Sequence, residues 1–183
     1  MIVVIVIVVI LVLLLLWLFS QYNGLVRLRN RVEAAWAQID VQLKRRWDLI
    51  PNLVETVKGY ASHERETLER VIAARNAATT ATGPAAAAQS DNILTGALRQ
   101  LFAVAEAYPD LKANTNFLQL QEELTGTEGR IAYARQYYND SVQSWNTKIQ
   151  TFPASLFAGM FHFTSREYFE ADDESRGNIK VQF

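Results

Sequence analysis

"NFLQLQEELTGTEGRIAYARQYYNDSVQSWNTKIQTFP" runs from Asn116 to Pro153 and decides the fold class. Its core-type residues return every three or four positions: Phe117, Leu120, Leu124, Thr127, Ile131, Ala134, Tyr138, Val142, Trp145 and Ile149. That is the period of one helix face; a strand would alternate every second residue. The spacing predicts a long helix that begins around Asp110 and stops at Phe152-Pro153, where proline ends the hydrogen-bond ladder. Gly126 and Gly129 fall inside it, each less favourable than alanine by about 1 kcal/mol, which close packing of another backbone would justify.

Three further stripes precede it. Leu25, Leu28, Val32, Ala35, Ile39 and Leu43 predict a first amphipathic helix reaching about Trp47. Asp48 can cap a second helix with Pro51 in its first turn, carrying Ile50, Leu53, Val57, Tyr60, Glu64, Leu68 and Val71. "ATTATGPAAAAQSD" (Ala78 to Asp91) breaks the pattern at Gly83-Pro84. Ser90 or Asp91 can then cap a third helix carrying Ile93, Leu94, Leu98, Leu101, Phe102 and Val104, which ends near Pro109. No strand-like alternation competes. The fold class expected is all-α: an antiparallel helical bundle of about four helices, continuous with one N-terminal transmembrane helix.

That span is Ile2 to Phe19, "IVVIVIVVILVLLLLWLF", apolar on every face. As a helix at ~1.5 Å per residue it covers roughly 27 Å, close to the thickness of a bilayer's hydrocarbon core. No small-x-small cleavage site follows, and Trp17 and Tyr22 sit where amphipathic rings favour the headgroup level. Arg27, Arg29, Arg31, Lys44, Arg45 and Arg46 follow the span, which by the positive-inside rule puts the N-terminus outside and the domain in the cytoplasm. Three regions result: an anchor over 1–22, a bundle over 23–153, and a tail over 154–183 that is aromatic and then acidic ("EADDES", Glu170 to Ser175).

Composition removes several functional classes. The 183 residues carry a formal net charge of -1, with no basic stripe, which speaks against nucleic acid as a partner. The chain has no cysteine, so disulfides, thiolate nucleophiles, zinc fingers and iron–sulfur clusters are excluded.

"RRWDLIPNLVETVKGYASHE" (Arg45 to Glu64), the Asn116–Pro153 stretch and "FAGMFHFTSREYFEADDESR" in the tail together resemble the LemA family. The resemblance covers essentially the whole chain, with several long motifs in the family's order and a departure at Trp145, where tyrosine is more usual. It implies an antiparallel helical bundle on one N-terminal membrane helix in bacteria, and no established enzyme activity. Many of the matching positions are polar, which apolar packing alone does not explain.

The motif histidine, His63, lies among Asp48, Glu55, Glu64 and Glu66. Tyr60 rather than glutamate stands three before it, and His63-Glu64-Arg65-Glu66-Thr67 is not the His-Glu-x-x-His of a zinc protease, so no metal or cofactor is expected. Ser62 and His63 are helical neighbours that do not face each other. The polar motif residues read instead as a buried network across helices: Arg45, Arg46, Asp48, Asn52, Glu55, Glu123, Glu128, Arg135 and Asn139. The tail's rings need cover, from their own bundle, from lipid or from a second subunit. The reading adopted is an oligomer contact through Phe152, Phe157, Met160, Phe161, Phe163, Tyr168 and Phe169. The expected function is a non-enzymatic, self-assembling scaffold at a bacterial inner membrane, anchored in lipid through residues 2–19. The alternatives are a membrane-tethered adaptor for an unidentified signalling protein or protease, and a hydrolase using Glu123 or Glu128.

Overall fold

A computed structural model of the chain describes residues 1–170, so the expected acidic run falls outside the described residues after Glu170. Among the described residues there are six helices and no strand: α1 (Ile2–Lys58), α2 (Arg65–Thr80), α3 (Pro84–Ala105), α4 (Pro109–Lys112), α5 (Thr115–Gln150) and α6 (Ala154–Met160). The stripe read over Asn116–Pro153 is the buried face of α5: Phe117, Leu124, Thr127, Ile131, Ala134, Tyr138, Val142, Trp145 and Ile149 are all buried.

The chain forms two compact units, and both α1 and α5 contribute to each. One consists of Met1–Trp36 with Tyr137–Glu167. Its core is Leu25, Val32 and Ala35 of α1, Tyr138, Val142, Trp145 and Ile149 of α5, and Ala154 and Ala158 of α6. Trp36 meets Tyr138 with ring centroids 5.7 Å apart. Phe163 lies 5.4 Å from Trp145 and under the Arg29 guanidinium, so α1 and α5 run antiparallel there. The other unit consists, among the described residues, of Ala37–Gln136 with 168–170. It packs α2, α3, α4 and parts of α1 and α5 around Ile50, Leu53, Val57, Val71, Leu94, Leu98, Leu101, Leu111, Phe117 and Leu124.

Several boundaries differ from the expectation. No new helix starts at Asp48: α1 runs through it, with Pro51 inside. Pro51 cannot donate to the Trp47 carbonyl one turn back. That carbonyl instead accepts the Arg75 Nε–H from α2 at 3.4 Å, and Pro51 itself is exposed, so its ring displaces no core atom. The expected Ile50–Val71 stripe is really two helices, divided at residues 59–64, where Ala61 turns inward. Ser90 and Asp91 cap nothing: α3 begins at Pro84, whose missing amide suits a first turn, and both residues are buried in the helix interior. The short α4 precedes α5, which Asn114 caps by accepting the Phe117 amide on Oδ1 at 3.0 Å. The tail holds a helix not foreseen, α6. It closes with His162 in the left-handed region (φ 53), while the Phe163 amide returns to the Ala158 carbonyl.

Pro51 and Arg75 are therefore expected to be coupled. Pro51→Ala should raise stability by up to about 3 kcal/mol. Arg75→Ala should cost about 1 kcal/mol in the native chain and close to nothing in the Pro51→Ala background, where Trp47 regains its helical partner. Denaturant unfolding of the four species in detergent measures the coupling.

Candidate functional site

A strongly buried ion pair lies in the second unit. Arg46 is 3% exposed and donates from Nη1 to Asp91 Oδ1 at 2.8 Å and from Nη2 to Thr95 Oγ1 at 3.0 Å. Thr95 in turn donates to the Asp91 carbonyl at 2.9 Å, which fixes its hydroxyl toward Arg46. Burial pushes the Asp91 carboxyl above the usual aspartate range, and the Arg46 guanidinium beside it pulls back; Glu128 raises it further and Arg135 lowers it. The two planar groups therefore pair in the interior and are not offered to solvent, with Arg46 Nε left without a partner.

The other expected network residues lie differently. Arg45 approaches Glu123 at 3.6 Å, with both side chains half in water. Asp48, Asn52, Glu55 and Glu128 are exposed, and Arg135 and Asn139 half-buried. The structure thus brings Arg46 together with Asp91 and Thr95, which were not read as site residues. The available signal was an aspartate on the apolar stripe of α3, three before Leu94 and seven before Leu98.

His63 is exposed in the turn between α1 and α2, flanked by two clamps. The Asn114 Nδ2–H donates to the Tyr60 hydroxyl at 2.9 Å, and the Tyr108 hydroxyl donates to Glu64 Oε1 at 3.1 Å, which raises the Tyr108 phenol's pKa. Tyr60 and Glu64 of the motif thereby hold this turn to the corners either side of α4. In the first unit, three α5 side chains grip the tail's backbone. Tyr138 donates to the Glu167 carbonyl at 2.8 Å, and Trp145 Nε1 to the Thr164 carbonyl at 2.9 Å. Asn146 bonds both the amide and the carbonyl of Arg166. Burial raises the Tyr138 phenol's pKa, keeping it a donor.

Of the expected oligomer-contact residues, Phe169 is buried and Phe157 and Phe163 are half-buried. Phe152, Met160, Phe161 and Tyr168 are exposed. A different apolar surface lies in the second unit, where α1 and α5 bound an open groove of about 690 Å³. Ala37, Gln38, Val41, Gln42, Gly126, Gly129, Arg130, Tyr133 and Ala134 line it. Val41 is 62% exposed and Tyr133 77%. A Cβ added at Gly126 or Gly129 would meet nothing within 4 Å, so neither glycine is explained by a neighbouring backbone of its own chain.

The LemA family profile matches residues 35–183. The chain belongs to the LemA family. It is 29% identical over 161 residues to the protein LemA of Metamycoplasma hominis, an alignment covering 86% of this chain and 72% of that one. It is 25% identical to the magnetosome protein MamQ 2 of Paramagnetospirillum magneticum and 24% to MamQ of Magnetospirillum gryphiswaldense. Those alignments cover 84% and 83% of this chain, and 66% and 65% of the two proteins' own lengths. The N-terminal stretch of α1 is apolar and long enough to cross a bilayer, which makes this a membrane protein. Neither the family's description nor the relatives' names carry an enzymatic activity.

The buried pair gives a sharp energetic expectation. Arg46→Ala strands the Asp91 carboxylate and should cost about 3–5 kcal/mol. Arg46→Met combined with Asp91→Leu should recover most of that loss. Thermal unfolding of the single and double variants checks it, and a double variant as unstable as the sum of its parts would mean the two charges act independently.

Proposed function

We propose that this LemA-family chain is a non-enzymatic scaffold that assembles with copies of itself at a bacterial inner membrane. The observation that carries the reading is the groove between α1 and α5. Helix interiors disfavour glycine, yet Gly126 and Gly129 lie on its floor where a Cβ would meet no neighbouring side chain or helix within 4 Å. A helix laid into such a floor approaches backbone to backbone, with Val41 and Tyr133 able to close over it. A second copy is the occupant that confinement to one membrane brings to high effective concentration, so a weak contact is enough. The adaptor reading places a different protein in the same groove, and stoichiometric co-purification of another chain would favour it. The charge following the span, Arg27, Arg29, Arg31, Lys44 and Arg45, supports a cytoplasmic domain with the N-terminus outside.

Two experiments test this. Gly129→Ala should stabilise the separate chain by about 1 kcal/mol, because helix propensity rises and the space is free, while lowering subunit number. Native mass spectrometry in nanodiscs reads the second effect. Unchanged assembly in Gly129→Ala and in the bulkier Gly129→Leu would take the groove out of the interface, and a native chain that is monomeric in lipid would remove the scaffold. Separately, Thr82→Cys lies in an exposed loop of a chain without cysteine. It should resist an impermeant maleimide in intact cells and react after lysis. Labelling in intact cells would reverse the topology.

A further inference from the structure

Among the described residues, nothing covers the second face of α6. Ala154 and Ala158 are buried, whereas Leu156 and Met160, one turn apart on the opposite side, are 63% and 70% exposed, and Phe152, in the turn just before the helix, is 80% exposed. The helix, "ASLFAGM", carries no charged residue. Three large apolar side chains facing water would be costly, at ~25 cal/mol per Å².

The geometry of the first unit says what lies against them. Trp36 faces Tyr138; seven residues back along α1 and seven on along α5, Arg29 and Trp145 flank the same Phe163 ring. Continued at equal rise per residue, this register carries Gln150 to roughly the level of Gly24 and puts α6 beside the end of the apolar run. Two observations agree. The Phe161 ring lies 4.8 Å from Tyr22, three residues past Phe19. Within residues 2–19, Leu18 alone is partly covered while every other side chain is exposed. The open face of α6 is therefore continuous with the surface that the span presents to lipid. Arg27 and Arg29 follow on α1, and Lys148 lies in the last turn of α5, cations suited to the phosphate level.

We infer that α6 is a second membrane contact: Phe152, Leu156 and Met160 seat in the headgroup–acyl boundary of the bilayer that α1 crosses. A short apolar helix lying in the interface gains by burying one side a few ångströms deep. The rings of Tyr22 and Phe161 mark the same level, as aromatic side chains do at interfaces. The inference does not rest on self-assembly, and the occupant of this face is lipid, not a second copy.

The test uses the full chain in phospholipid nanodiscs, with an environment-sensitive NBD fluorophore on Met160→Cys, on Leu156→Cys and on the Thr82→Cys reference. Both α6 sites are exposed within the chain, so labelling them leaves the fold intact. The expected result is blue-shifted emission at both α6 sites, loss of intensity with nitroxide-bearing acyl chains, and little quenching by aqueous iodide. Thr82 should show the reverse. Iodide quenching at the α6 sites equal to that at Thr82 would overturn the inference. So would a blue shift that lipid nitroxide leaves untouched and that fades when labelled chains are diluted with unlabelled ones, since that would place a second copy on this face.

Discussion

A single helical backbone that must satisfy two solvents is the constraint from which the rest follows. Within a bilayer no water is available to the peptide groups, so every N–H in the apolar run has to bond one turn back. Residues 2–19 meet this by being helical throughout. The same helix continues to Lys58, and from Leu25 onward it acquires a face: Leu25, Val32, Ala35, Ile39, Leu43, Ile50, Leu53 and Val57 are buried. The composition change is abrupt while the hydrogen-bond ladder is not. One interruption, at Pro51, is repaired from outside the helix by Arg75. A proline with its stranded carbonyl capped by a cation is tolerable where an unrepaired one would kink the helix.

Much of the polarity in the family-like motifs turns out to work on backbone rather than on ligands. Tyr138, Trp145 and Asn146 bond peptide groups of Thr164, Arg166 and Glu167. The segment they hold belongs to no helix or strand, so its carbonyls need side-chain donors if they are not left to water. Asn114 spends one amide atom on the α5 start and the other on Tyr60. Arg46 and Asp91 form the buried exception. Such a pair adds little stability over a well-packed apolar one, but α1 and α3 can make it at one register only.

Helix existence was legible from the sequence because burial follows the 3.6-residue period, as α5 shows along its whole length. The misreadings have physical causes. Asp48-x-x-Pro51 looks like a helix start because capping signals are local, and only α2 supplies the donor that lets the helix run on. Ser90-Asp91 imitates a cap for the same reason, and the alanines before it conceal a stripe since Ala87 and Ala88 are small yet buried. Gly126 and Gly129 invited the idea of a close neighbour within the chain, and the space beside them is open. The partner of Arg46 could not be read at all: 45 residues separate it from Asp91, and no periodicity couples two stripes to each other. Nor could spacing divide the tail's rings into those kept by the chain, Phe163 and Phe169, and those presented outward.

The placement of α6 changes what a membrane anchor can do. One span fixes a unit to a plane but leaves its tilt free, since helices in bilayers tilt readily over a range of roughly 0–40°. A second contact on the same unit, offset from the span by the width of a helix, removes much of that freedom because tilting in one direction would lift Phe152, Leu156 and Met160 into water. Ordering of this kind is paid before any two copies meet. Association between oriented units then loses less rotational freedom than association between units that swivel, so the same small surface yields a tighter contact. For the proposed self-assembly, a net charge of -1 gives little long-range steering, so the orientation supplied by the membrane is what would bring the grooves of two copies together.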